Sequence, residues 1–158
     1  LLLVDGSLKS LSFLFSLIIF IKNYNNYSMK LKTSKQLVQE AMDKIKTISP
    51  SELKDLQRKK PDLILIDIRD IRELKKTGKI LGAKHMPRGM LEFWLDPESP
   101  YYKKEITPER TKVSYCASNW RSALATKSIQ EMGFDNVCHV LGGFQAIKDE
   151  GFEIENIE

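Results

Sequence analysis

Cys116 ends the apolar run Val113-Ser114-Tyr115, and the polar stretch Ala117-Ser118-Asn119 follows it before Trp120-Arg121-Ser122-Ala123-Leu124-Ala125 opens a helix-forming segment. A sulfur at such a junction faces the positive end of a helix dipole and the free N–H groups of the first turn. Those surroundings favour the thiolate, the nucleophilic form of cysteine at neutral pH. The loop therefore reads as an anion cradle around a reactive sulfur. The alternative use of Cys116 is structural, since free cysteine is among the most buried residue types.

Four residues separate Cys116 from Arg121, a C-x-x-x-x-R spacing. The planar fork of Arg121 suits a sulfo or phospho oxyanion, or it braces the loop. Asn119 sits where the loop must bend, and a left-handed conformation is expected there because Asn tolerates it best among non-glycine residues. Trp120 would wall the pocket or close it against water. Asp67 and Arg69 end a second apolar run and are expected to support the site by bracing loops through hydrogen bonds and an ion pair. Arg88, in Met86-Pro87-Arg88-Gly89, is either a pocket-mouth cation that attracts an anionic donor or a solvated surface arginine. Cys138 reads as a core thiol, with a resolving partner for Cys116 as the alternative. Neither His85 nor His139 has metal-ligand spacing to a cysteine or to another histidine, so both read as ordinary strand or loop residues and no metal is expected.

The chain resembles the rhodanese-like sulfurtransferase family in four ordered blocks within residues 47–156. Leu63-Ile64-Leu65-Ile66-Asp67-Ile68-Arg69 with Glu73, then Gly78-Lys79-Ile80-Leu81-Gly82-Ala83-Lys84-His85-Met86-Pro87-Arg88-Gly89, is similar to its first signature. Tyr115 to Arg121 is similar to its active-site loop, and Val140-Leu141-Gly142-Gly143-Phe144-Gln145-Ala146-Ile147 with Gly151 to its closing strand-to-helix turn. The resemblance implies a single α/β domain over residues 47–158, with a mostly parallel five-stranded central sheet and helices on both faces. It implies sulfur transfer through a Cys116 persulfide, cradled by Ala117, Ser118, Asn119, Trp120 and Ser122, with no cofactor. The donor would be a small sulfur-containing anion such as thiosulfate, or a thiol persulfide; the acceptor would be cyanide, a thiol or an acceptor protein. Ala117 stands where thiosulfate-using members often carry a basic residue. Related phosphatases have one more residue between Cys and Arg. A cysteine phosphatase, and a persulfide-carrying or partner-binding module without turnover, remain the alternatives.

The elements that must position these residues follow from pattern. Thr33 or Ser34 is predicted to cap an amphipathic helix reaching Lys46, with Leu37, Val38, Ala41, Met42 and Ile45 on its apolar stripe. Thr47-Ile48-Ser49 follows as a short strand, then a helix with Ser49 at the cap and Pro50 in its first turn. Strands are predicted at Leu63–Ile68, Ala83–Met86, Lys112–Tyr115 and around Val137. Helices are predicted at Asp70–Lys76, Met90–Trp94, Trp120–Met132 and Phe144–Asp149. Strands alternating with helices argue for an α/β domain with a largely parallel sheet, whose ligands bind at the strands' carboxyl ends.

The chain has 158 residues, 42% of them hydrophobic and 29% charged, with a formal net charge of +4. These values suit one soluble domain with an appendage. The charge is too mild to imply nucleic acid, and the sequence has no basic stripe interleaved with aromatics. Two cysteines do not make a disulfide framework. Residues 1–28 are expected to be a non-native extension ahead of a bacterial-type start at Met29-Lys30-Leu31-Lys32. The apolar run Leu11–Ile21 is short for a membrane helix and lacks a cleavage site, so an anchor or export signal is the weaker alternative. A cytoplasmic location is expected, with membrane contact only if residues 1–28 are real. Residues 29–46 would then be an N-terminal helix leading into the domain.

Overall fold

Alternation in one apolar run sets out the core. In the computed structural model, which describes residues 13–21 and 31–157, β2 (Ile64–Asp67) is buried along its whole length. Ile64, Ile66 and Ile68 turn to one side with Ala125, Ile129, Leu91 and Leu95. Leu65 turns to the other with Val113, Tyr115, Leu53, Phe144 and Ile147. A strand covered on both faces needs apolar residues at both parities, which is why it reads as a continuous hydrophobic run.

Five strands form a parallel sheet: β1 (Lys46–Ile48), β2, β4 (Lys84–His85), β5 (Lys112–Tyr115) and β6 (Val137–Val140), in the order β1-β6-β5-β2-β4. The α/β class, the parallel sheet and its five strands agree with expectation. The helices α4 (Leu91–Leu95) and α5 (Trp120–Glu131) cover one face. The other face carries α2 (Pro50–Lys59) and α6 (Gly143–Asp149). The remaining elements are α1 (Ser34–Met42), α3 (Ile71–Thr77), a 3-10 turn at Arg88–Met90, and an antiparallel pair, β3 (Lys79–Ile80) with β7 (Ile154–Glu155).

Local chemistry fixes several ends. Ser49 accepts from the Glu52 amide while Glu52 reaches back to the Ser49 amide, and Asp70 and Glu73 repeat this reciprocal box at the start of α3. Gly133, at φ +95, follows α5 in the left-handed region that ends many helices. The amphipathic helix stops at Met42, short of the predicted Lys46. The Lys44 and Ile45 amides both bond Ala41 O, which tightens the last turn, and Lys46 is drawn into β1 opposite Cys138. Val38, Ala41 and Ile45 pack on Ala123 of α5, whereas Leu37 is exposed.

The chain divides into two units, Leu1–Thr33 and Ser34–Glu158. Within the first, residues 13–21 are helical, and the rest of the expected 1–28 extension lies outside the described residues. No helix among the described residues is long and apolar enough to cross a membrane.

Sheet order also locates a crevice. From β2 the chain proceeds to β4 on one side, and from β5 to β6 on the other. The connections therefore diverge between β2 and β5, the place where open α/β sheets bind ligands beyond the strands' carboxyl ends. Asp67 and Tyr115, partners in register, close those two strands.

Candidate active site

The segment between β5 and α5 crosses that crevice. Cys116 follows Tyr115 directly and is buried, 1% exposed, beneath Ala117 and Ser118, which are exposed. Asn119 is the last residue before α5. Its φ of −141° is not left-handed, and among the described residues only glycines have positive φ. The expected backbone bend is replaced by a side-chain contact: the Gly142 amide donates to Asn119 Oδ1 at 2.5 Å. With no side-chain cap on α5, the amides of its first turn stay open beside the loop.

The turn from β6 into α6 forms the underside of the loop. Gly142 and Gly143 have φ of +76° and +61°, and Phe144 donates its amide to Cys116 O at 2.7 Å. A Cβ on Gly143 would run into the carbonyls of Cys116 and Ser118 and the Ser118 amide. Two glycines therefore meet both a dihedral and a space requirement.

Arg121 is held from the α3 side. Its two Nη atoms donate to Glu73 Oε2 and Oε1 at 2.5 and 2.8 Å, and Glu73 Oε2 also accepts from the Asp70 amide. The Glu73 carboxylate raises the Arg121 pKa further, and the nearby Cys116 sulfur adds to this. In return the Arg121 guanidinium holds Glu73 below the usual carboxylate range. Ser122 Oγ lies 3.5 Å from Cys116 Sγ, 3.0 Å from Asn119 O and 3.2 Å from His139 Nδ1. Trp120 is 54% exposed at the helix start.

Other candidates act at a distance. Asp67 and Arg69 form a fully buried pair with Nη2 to Oδ2 at 2.6 Å, and Arg69 also donates to Thr77 Oγ1 and Gly78 O. The guanidinium stacks 3.9 Å from the Phe144 ring. These contacts tie together the end of β2, the end of α3 and the α6 helix. Arg88 is held by two neighbours on the α4–α5 side. It pairs with Glu92 at 2.6 Å and donates to Ser128 at 3.0 Å, about 10 Å along α5 from Arg121. Cys138 packs with Leu65, Val113 and Val140, on the face opposite Cys116, and burial pushes its thiol up to about 11. Both cysteines are free.

Glu73, Gly142, Gly143 and His139 belong to the site although no role for them is legible in the spacing. Asp70 was visible as the start of a predicted helix, Glu73 as part of the family's first signature, and the double glycine as part of its closing turn. His139 gave no signal, because a buried strand position looks the same whatever its side chain touches.

The rhodanese-like domain model matches residues 49–150. The probable adenylyltransferase/sulfurtransferase MoeZ of Mycobacterium tuberculosis is 33% identical over 100 residues, covering 63% of this chain and 24% of the relative, so the chain spans about a quarter of that protein's length. The polysulfide-sulfur transferase homodimer of Wolinella succinogenes superposes with a TM-score of 0.63 at 34% identity, over 78% of this chain and 88% of that one. A protein of unknown function from Rhodopseudomonas palustris, described as a possible tyrosine phosphatase, superposes with a TM-score of 0.75 at 41% identity, over 81% and 98%. The fold, the loop and a family match over most of the chain agree: the chain belongs to the rhodanese-like domain family.

Proposed function

We propose that this protein is a sulfurtransferase that carries sulfane sulfur on Cys116. The observation that carries the reading is the buried Cys116 at a strand end, with Ser122 Oγ on its sulfur and Arg121 beside it. The similarity to proteins whose names include sulfurtransferase and polysulfide-sulfur transferase supports it.

In the first step the Cys116 thiolate attacks the outer sulfur of the donor. With thiosulfate, the new S–S bond forms as the old one breaks, and its electron pair leaves on sulfite. Cys116 becomes an anionic persulfide. Amides of residues 117–121, the α5 N-terminus and the Ser122 hydroxyl stabilise that charge in place, the preorganisation that makes oxyanion holes effective. In the second step a nucleophile, cyanide or a thiolate, attacks the terminal sulfur, and the bonding pair returns to Cys116 as thiolate. Sulfur moves without net oxidation or reduction. Arg121 draws an anionic donor toward the loop while Glu73 fixes its direction. A thiol persulfide serves equally as donor, because no cation follows Cys116.

Intact mass after incubation with thiosulfate, and separately with a thiol persulfide, tests this. Wild type is expected to gain one sulfur, about 32 Da, that cyanide removes; Cys116→Ser is expected to gain none. No gain from either donor would defeat the reading. Release of phosphate from an aryl phosphate would then favour phosphatase chemistry, the class suggested by the description of the Rhodopseudomonas palustris protein.

A further inference from the structure

Hydrogen bonds of Ser122 lead away from the loop into the sheet. On one side of Ser122 Oγ are Cys116 Sγ at 3.5 Å and Asn119 O at 3.0 Å; on the other is His139 Nδ1 at 3.2 Å. The far ring atom, His139 Nε2, lies 2.9 Å from Thr47 Oγ1. His139 is fully buried in β6, and Thr47 is half-buried in the edge strand β1. Four side chains thus connect the sulfur to the margin of the sheet.

A serine hydroxyl has one hydrogen, and up to three acceptors compete for that of Ser122. With the imidazole hydrogen on Nε2, His139 donates to Thr47, and its bare Nδ1 draws the hydroxyl hydrogen away from the sulfur. With the hydrogen on Nδ1, the ring donates to Ser122 Oγ and Thr47 donates to Nε2. The hydroxyl hydrogen is then left for the sulfur or for Asn119 O. Burial pushes the His139 pKa down to about 4, so the neutral ring, with this choice of tautomer, is the form present at neutral pH.

We infer that His139 is a positioning residue for Cys116: held by Thr47 with its hydrogen on Nδ1, it turns the Ser122 hydroxyl toward the sulfur and so stabilises the thiolate and the persulfide formed from it. The persulfide half rests on the sulfurtransferase reading; the thiolate half does not.

Alkylation of Cys116 by iodoacetamide reads the thiolate without any sulfur donor, and intact mass of the Cys116→Ser control separates it from Cys138. His139→Asn keeps a donor where Nδ1 stood, whereas His139→Gln keeps a group only near Nε2. Both leave in place Arg121, the cation beside the sulfur, and Glu73, which holds it. His139→Gln is expected to slow alkylation at pH 7 about tenfold and to move its pH–rate profile to higher pH. His139→Asn is expected to restore most of the rate. Thr47→Val, at a half-buried position, is expected to slow it about threefold. An unchanged rate in His139→Gln overturns the inference; should that variant not fold, an unchanged rate in Thr47→Val does so. Sulfur uptake with alkylation independent of His139 removes this inference alone. Alkylation that depends on His139, in a protein that takes up no sulfur, removes the sulfurtransferase reading alone.

Discussion

Arg121 and Glu73 meet through two parallel hydrogen bonds at the mouth of the crevice, each about two-fifths exposed or slightly less, at 41% and 35%. A pair so open to water adds little to stability, but its fork geometry fixes direction well. The two effects separate in Glu73→Gln. Persulfide formation, followed by intact mass, is expected to slow about tenfold, while denaturant unfolding shifts by less than about 1 kcal/mol. A large stability loss with unchanged rate would show a structural role instead. Titration at this scale has a definite sign. His139 has a folded pKa of about 4 against an ordinary value of 6.5, so the unfolded chain takes up its proton first as pH falls. The stability it allows is complete above pH 6.5 and is lost between pH 6.5 and 4, on the order of 3 kcal/mol. Glu73, held low by Arg121, loses its contribution in the same direction on acidification. Chemical unfolding at pH 7 and pH 4.5 checks this, and His139→Asn should flatten the difference.

Among the elements, the β6–α6 turn constrains the loop most tightly. Gly143→Ala would place a methyl against the Cys116 and Ser118 backbone at a φ of +61°. A loss of about 2–3 kcal/mol in unfolding free energy is expected, with sulfur uptake falling alongside it. Gly82, also at positive φ but with nothing within 4 Å, separates the two causes: Gly82→Ala should cost only the dihedral. What could be read from the sequence divides by range. The Ser49 cap, the β5 strand and the Gly133 stop depend on residues within one turn of each other, and all three were legible. The β3–β7 pair joins two-residue strands far apart in the sequence, too short for any periodicity to register. Arg88 found Ser128 and Arg121 found Glu73, 40 and 48 residues away, and no local pattern specifies such partners. Asn119 was misread because its side chain, bonded to Gly142, does the work assigned to its backbone. Cys116 and Arg121 were legible because strand, loop and helix follow one another without interruption.

Within the Ser34–Glu158 unit the sheet has one apolar layer on each face, and the central strands β2 and β6 each contribute side chains to both. Leu53→Ala on one face and Ile129→Ala on the other, both positions fully buried, are each expected to cost about 2–5 kcal/mol and to leave a single unfolding transition for this unit. Two separated transitions in either variant would mean that the layers melt independently. The order of the strands has a bearing on colloidal behaviour as well. The four-residue strands β2, β5 and β6 are all interior, while the margins are β1, three residues long, and β4, two residues long. Each margin begins with an exposed lysine, Lys46 and Lys84. Short, cationic borders are poor templates for a foreign strand. The most β-prone segments of the chain are thus shielded from fibril growth for as long as the native sheet persists, and amyloid accretion would require its centre to open first.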